Sequence, residues 1–272
     1  MDFNLKKYYY KFFDTAKYKD YKSNKLVEKS IKIFEEKFKD YLYGIERKIK
    51  DNKKITFLHS GHLGDLIYAL PVIQELSKSH ECHFYIQANK KLNVNYFKHP
   101  AKGVFIDERM LKLFLPLMKA QKFIHKCEKY NGEIIDINFD IFRELPVNIH
   151  FNSPRWYFHI SGVQVDLKDP YMDVEPHEKI KNKIVIHRTF RHRNQFINYK
   201  FLSDYKNLIF IGTNDEYLDL KKDVKNLEIY ECKDYLDMAK VIKSSKFFIG
   251  NQSVAYPMAE AMKVPRILEA EP

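Results

Sequence analysis

The stretch with the most chemical promise runs Thr56-Phe-Leu-His-Ser-Gly-His-Leu-Gly-Asp-Leu-Ile-Tyr-Ala-Leu-Pro71. Ile55 to His59 reads as a short buried strand, the glycines as a turn, and the residues from about Asp65 as a helix. A strand that turns through glycine into a helix leaves backbone N–H groups free at the helix start, a seat for an anion or a polar substrate. Gly61 and Gly64 let the backbone approach whatever binds, and His62 belongs to the same turn. Asp65 then stands at the mouth of the sheet, where α/β proteins place their chemistry. Two roles fit it, site chemistry or a plain helix cap.

Three further stretches face the same problem from the other end of the chain. His187-Arg-Thr-Phe-Arg-His-Arg193 follows a strand directly. Guanidinium groups at Arg188, Arg191 and Arg193 would grip phosphate in a bidentate way, or simply solvate a basic loop. Ile211-Gly-Thr-Asn-Asp-Glu216 is a turn into a helix that offers Gly212 and the Glu216 carboxylate. In Phe247-Phe-Ile-Gly-Asn-Gln-Ser-Val-Ala-Tyr-Pro-Met-Ala-Glu260 a strand ends at Gly250, Gln252 follows, and Ser253 is placed to cap the next helix. N–H groups at that helix start would hold a diphosphate. Glu260, two turns further in, would accept both hydroxyls of a ribose, or sit exposed on the helix.

The elements that must position these residues follow from the pattern around them. Residues 53–178 alternate strand and helix. The expected strands are Ile55 to His59, His83 to Ala88, Gly103 to Asp107, Phe123 to Cys127 and Glu133 to Ile137, with a helix around Met110 to Ala120. Pro170 and Pro176 mark a linker. Residues 179–272 repeat the alternation, with strands at Ile184 to His187, Leu208 to Gly212, Leu227 to Tyr230, Phe247 to Gly250 and Arg266 to Leu268, and helices between them at Phe201 to Lys206, Asn214 to Asp223, Tyr235 to Ser244 and Ser253 to Met262. The expectation is two Rossmann-like lobes with a cleft between the carboxyl ends of their sheets. Residues 1–52 form an α-helical N-terminal extension. Val27, Ile31, Phe34, Phe38, Tyr41, Leu42, Ile45 and Ile49 make a narrow helical stripe from about Asn24 to Asp51, roughly 40 Å long. The stripe must dock on the body or on a second copy, and an intramolecular brace is the simpler reading. The Lys/Tyr-rich start admits a peripheral membrane contact.

Composition bounds the function classes. The chain of 272 residues is 45% hydrophobic, enough for a sizeable core, and no run reaches the length of a membrane span. The start lacks the apolar segment of a signal peptide. Three cysteines, Cys82, Cys127 and Cys232, point to reduced thiols and a cytoplasmic setting. The net charge of +11 favours anionic partners, although much of it is Lys in a Lys/Asn/Ile-rich sequence. His80-Glu-Cys82-His83 lacks the four-ligand spacing of a zinc site, and no metal site is expected. Asp136 and Asp140 read as the end of a strand near the cleft. Ser60, beside His59 and His62, lacks a nucleophile elbow.

Taken in order, these motifs bring a family resemblance with them. Gly64-Asp65-Leu-Ile-Tyr-Ala-Leu-Pro71 resembles the opening signature of the ADP-heptose:lipopolysaccharide heptosyltransferases, which are inverting GT-B glycosyltransferases. Phe248-Ile-Gly-Asn-Gln-Ser253 resembles their nucleotide-binding signature, and Glu260-Ala-Met262 with Pro265 resembles the ribose-binding helix of GT-B enzymes. The resemblance implies that Asp65 is the general base for an acceptor hydroxyl. It also implies that a nucleotide-diphosphate sugar lies on the second lobe, with no metal or other cofactor. Three positions depart from the family: Gln252 replaces an acid, Val254 a glycine and Pro257 a histidine. The family's lysine after the second lobe's first strand has no clean equivalent, so Arg191 or Arg193 would serve. The family's C-terminal crossing helices have no counterpart before Pro272, and the long N-terminal helix is expected to take their place.

The reading is a glycosyltransferase that moves a sugar from a nucleotide-sugar to a glycan or lipid-linked saccharide. Two alternatives stand beside it: transfer to modified DNA bases, and a catalytically degenerate nucleotide- or glycan-binding protein.

Overall fold

The computed structural model describes residues 5–92, 101–144 and 153–271. The chain opens with three helices, α1 (Leu5–Phe13), α2 (Thr15–Lys37) and α3 (Lys39–Asp51). Asp14 separates the first two, and its side chain accepts from the Lys17 N–H at 3.0 Å to cap α2. The single long helix expected from the stripe is broken at Phe38, which leaves helical geometry (φ −116°) and buries its ring. The break divides the stripe in two. Val27, Ile31 and Phe34 remain exposed, whereas Phe38 and Ile45 are buried and Tyr41, Leu42 and Ile49 half-buried against the core.

Only α3 therefore braces the body, and it does so against the first sheet. Tyr41 Oη accepts from the Asn138 N–H at 2.9 Å, Lys48 Nζ reaches the Asp136 carbonyl at 3.3 Å, and His80 Nε2 donates to the Ile49 carbonyl at 2.8 Å. The burial difference makes a direct expectation. Ile45→Ala should cost about 2–5 kcal/mol by urea denaturation. Ile31→Ala should stay within about 0.5 kcal/mol. Equal costs would contradict this division of the extension.

Beyond α3 the chain alternates strand and helix. The first sheet comprises β1 (Lys54–His59), β2 (Glu81–Ile86), β3 (Lys126–Lys129) and β4 (Ile137–Asn138), all parallel in the order β3-β2-β1-β4. β1 is followed by α4 (Leu63–Tyr68) and α5 (Leu70–Leu76). α6 (Glu108–Lys119) lies between β2 and β3, started by Asp107, whose carboxylate accepts from the Met110 N–H at 2.7 Å. α7 (Ser153–Ser161) buries Trp156 and Tyr157. The segment Gly103 to Asp107, expected as a strand, makes only an isolated bridge between Val104 and Lys91. Its apolar residues Phe105 and Ile106 are buried all the same, so a short apolar run marked burial and not a strand.

The second sheet comprises β5 (Ile184–His187), β6 (Leu208–Ile211), β7 (Glu228–Tyr230), β8 (Phe247–Asn251) and β9 (Arg266–Glu269). They are parallel in the order β7-β6-β5-β8-β9. Its helices are α8 (Asn214–Lys221), α9 (Tyr235–Lys243) and α10 (Ala255–Ala261). The expected helix at Phe201 to Lys206 is a short 3₁₀ turn over Lys200–Asp204. β5 and β6 are apolar and almost wholly buried, as expected of parallel strands covered on both faces.

The two sheets share a core. α4 packs on α10 and α6 on α9, so that Leu66, Ile67, Phe114, Met238 and Ala259 belong to one apolar cluster. The proline-marked linker is packed as well. Tyr171 and Met172 are buried, and the Tyr171 N–H donates to the Ala261 carbonyl at 3.0 Å. Among the described residues no helix is long and apolar enough to cross a membrane.

Candidate functional site

A cleft of about 510 Å³ opens between the carboxyl ends of the two sheets. One wall is the turn after β1, with His62, Leu63 and Gly64. The opposite wall comes from the second sheet. It takes Thr189, Phe190 and Arg191 after β5, Gly212, Thr213, Asp215 and Glu216 after β6, Lys233 to Tyr235 after β7, and Ser253 and Val254 after β8. Phe105, Met110, Leu113, Tyr235 and Met238 make an apolar end. Arg191 and Lys233 bring positive charge, and Asp215, Glu216 and Asp234 bring negative. Burial, with Asp237 and Asp234 adding to it, pushes the Cys232 thiol up to about 12, so it lines the cleft as a neutral group.

The residues singled out in the sequence divide into two groups. His62, Gly64, Arg191, Gly212, Glu216 and Ser253 line the cleft. Ser253 is 7% exposed, and its hydroxyl finds no hydrogen-bond partner among the described residues. It does not cap α10, whose first flanking residue is Val254 with no side-chain cap. A buried hydroxyl without a partner costs free energy, which marks a place where a ligand atom would be welcome. Gly212 sits at φ +153°, and a Cβ there would lie 2.8 Å from the Phe210 ring, so glycine is required for the turn to close. Glu216 serves the turn itself. Its carboxylate accepts from Thr213 Oγ1 at 2.8 Å and from the Phe190 N–H at 3.3 Å, tying the loop after β5 to the start of α8.

The other group has its charge spoken for elsewhere. Arg188 is 5% exposed. Its guanidinium holds Glu269 through two bonds of 2.7 and 2.8 Å, donates to the Ile197 carbonyl, and stacks on Tyr199. It is a bidentate grip as expected, but on a carboxylate of β9 and not on a phosphate. Arg193 pairs with Asp219 at 2.6 Å over the Phe190 ring. Glu260 pairs with Lys263 at 2.8 Å and with Arg266. Gln252 is exposed and accepts from the Glu271 N–H at 3.0 Å. None of these four lines the cleft.

Asp65 occupies the first turn of α4, directly after the three lining residues of that wall, with its side chain 28% exposed. Arg143 Nη2 donates to Asp65 Oδ2 at 2.7 Å. This partner was not legible in the sequence, and it opens onto a buried network. Arg143 Nη1 also donates to Asp140 Oδ1 at 2.9 Å. Asp140 in turn receives Lys90 Nζ at 2.9 Å, the Ser60 N–H at 2.9 Å and the Ser60 hydroxyl, and lies 3.2 Å from His59 Nδ1. His59 Nε2 hydrogen-bonds Tyr157 Oη at 2.8 Å. Burial alone would raise the Asp140 carboxyl, but the contacts from His59 and Ser60 outweigh it and hold the group well below the usual carboxylate range.

Glycine matters most at position 61, where a Cβ would run into the Arg143 guanidinium and the His59 ring. Gly61→Ala should therefore push Arg143 off its two carboxylates and destabilise the fold by about 1–3 kcal/mol, read from the urea midpoint. A midpoint unchanged from wild type would contradict that crowding. Gly64 has a milder reason. A Cβ there would be 3.2 Å from Pro257 Cγ, so glycine lets α4 and α10 meet across the cleft.

On the second wall, buried Asn251 accepts from Thr189 N–H and Oγ1, both at 3.1 Å, and donates to the Thr189 carbonyl at 2.7 Å. This pins the arginine loop to the end of β8. His187 is buried and donates from Nδ1 to the Ile211 carbonyl at 2.6 Å. Burial lowers its pKa, so the ring lines the cleft as a neutral group.

Comparison with known proteins places this geometry. No protein-family model matches the chain, and no curated protein matches it in sequence. Solved structures do match. E. coli heptosyltransferase WaaC with ADP-2-deoxy-2-fluoro heptose superposes with a TM-score of 0.53 at 9% identity, covering 79% of this chain and 88% of that one. The same E. coli enzyme with ADP gives a TM-score of 0.51 at 9% identity, covering 79% and 86%. The fold is that of the heptosyltransferase-like GT-B proteins.

Proposed function

We propose that the protein is a glycosyltransferase that moves a sugar from a nucleotide-diphosphate sugar to a hydroxyl of a glycan or lipid-linked saccharide. The observation that carries this reading is the cleft itself. It sets the turn that bears Asp65 opposite a wall of Arg191, Lys233, Gly212 and the unpartnered Ser253 hydroxyl. Support comes from the shared fold, since the E. coli relative was captured with a nucleotide-sugar analogue.

In this reading the base of the nucleotide rests on the apolar end formed by Phe105, Met110, Tyr235 and Met238. The diphosphate meets Arg191, Lys233, the Ser253 hydroxyl and backbone N–H groups of the turns after β6 and β8. Arg143 fixes the Asp65 carboxylate through Oδ2 and leaves Oδ1 for the acceptor hydroxyl. Asp65 takes the acceptor's proton as its oxygen attacks the anomeric carbon. The diphosphate leaves from the opposite face with the bonding pair, so configuration inverts. Positive charge and N–H dipoles stabilise the leaving group, and the scheme calls on no metal ion or other cofactor. Arg188, Arg193, Gln252 and Glu260 have no part in it, because none of them lines the cleft.

A second reading, binding without turnover, is favoured by one observation: Arg143 already neutralises the carboxylate that would act as base. Turnover separates the two. Incubation with ADP-, GDP-, UDP- and CDP-sugars should release nucleoside diphosphate from one donor class, faster with a saccharide acceptor present. Binding of a donor with no release under any condition would favour the second reading.

A further inference from the structure

Helix α1 presents a face whose apolar side chains remain exposed. Successive helical residues turn by about 100°, so Leu5, Tyr8, Tyr9, Phe12 and Phe13 fall within one arc of about 140°. All five are exposed, Phe12 by 72% and Phe13 by 77%. Tyr10, on the opposite side, faces inward instead. Its ring lies 6.4 Å from that of Tyr21 on α2, which folds α1 back along α2 with the aromatic arc outward. No residue of α1 is buried. The helix thus spends no apolar side chain on the core, although more than half of its residues are aromatic or leucine on one side.

The charges say what the face meets. Lys6 and Lys11 border the arc on its two sides and Lys7 lies behind it, with no acidic residue between Leu5 and Phe13. On α2, Lys17 is paired with Asp14 at 3.2 Å, and Lys19 and Lys22 flank Asp20. Two copies of α1 pressed together would bring these lysines against each other. An anionic surface would neutralise them while the rings leave water. The lysine stems are long enough to lie along the arc and keep their heads at the polar boundary.

We propose that α1 is an interfacial helix that lays Leu5, Tyr8, Tyr9, Phe12 and Phe13 into the surface of an anionic bilayer. This surface is separate from the cleft and does not depend on the glycosyl-transfer reading. The break at Phe38 separates the α1–α2 pair from α3, whose Tyr41, Leu42, Ile45 and Ile49 pack on the core.

Vesicle flotation of the full chain tests it. The protein should float with phosphatidylcholine vesicles containing phosphatidylglycerol and stay behind with phosphatidylcholine alone. F12S/F13S should abolish flotation with an unchanged melting temperature, because neither ring supports the core. Replacing Lys6, Lys7 and Lys11 by glutamine should weaken binding on the order of 100-fold at low salt, with each lysine contributing near the surface. No flotation with the anionic vesicles, or flotation that F12S/F13S leaves intact, overturns the proposal. So does light scattering that shows a dimer broken by F12S/F13S without vesicle binding, which would assign the face to a second copy of the chain.

Discussion

Replacing Asp65 by asparagine is expected to lower glycosyl transfer by about 10²–10⁴-fold while leaving nucleotide binding nearly unchanged. The amide keeps the size of the side chain and its hydrogen bond to Arg143 through the carbonyl oxygen. It cannot take the acceptor's proton. Asp65 follows the lining residues His62 to Gly64 and does not itself line the cleft, so its replacement by asparagine takes no lining contact from the donor. The loss should fall on kcat, with KM for the donor little changed. Because the side chain is partly exposed, the folded protein should tolerate the change with at most a small shift in melting temperature. Transfer that survives in Asp65→Asn would remove this residue from the role of base. A parallel loss of nucleotide binding would make it a donor-binding residue instead.

Asp140→Ala is expected to destabilise the fold by about 1–3 kcal/mol. Asp140 is 2% exposed and gathers Arg143, Lys90, Ser60 and His59 around one carboxylate. Removing it leaves the buried Ser60 N–H and hydroxyl without their acceptor and takes one of two carboxylates from the half-buried Arg143, which keeps Asp65. The cost is mostly that of the unsatisfied buried donors. The pH dependence follows from the depressed pKa. In the unfolded chain the carboxyl titrates near ~4. Above that value both states are ionised and the full stabilisation is present. As pH falls below it, the unfolded chain takes up a proton that the folded protein resists, and the advantage drains away toward the folded-state pKa. The gap between wild type and Asp140→Ala in urea midpoint should therefore be widest near pH 7 and shrink below about pH 4. A gap that stays constant into acid would mean that Asp140 contributes packing and not charge.

The two sheets were legible because their strands are apolar runs punctuated by glycine and short polar turns. Ile184 to His187 was read residue for residue, and Leu208, Phe247 and Arg266 each begin the strands expected there. The turn residues His62, Gly64, Gly212 and Ser253 were legible for the same reason: a strand end followed by a helix start implies a place in three dimensions. The arginine and glutamate assignments were harder, since a charged side chain reveals nothing of its partner until the fold supplies one. Arg188 meets Glu269 across 81 residues, and Arg143 meets Asp65 across 78. Arg143 carried one faint local signal, its spacing of three from Asp140, which suits a pair on a single turn. The break at Phe38 had none, since no glycine or proline marks it and the apolar stripe runs through it unchanged.

The central claim is that the cleft holds a nucleotide-diphosphate sugar, and the most direct measurement is a thermal-shift titration of the full chain. ADP, GDP, UDP, CDP and their common sugar conjugates would be tested without metal and then with magnesium. A ligand held only by the folded state stabilises it in proportion to the logarithm of concentration over Kd, by about 2.7 kcal/mol at a hundredfold excess over Kd. The account predicts such a rise for one nucleoside diphosphate and its sugar conjugate. It also predicts that the rise is reduced in Ser253→Ala, which removes the cleft hydroxyl that has no hydrogen-bond partner among the described residues. A flat response to every nucleotide, with and without magnesium, would contradict it.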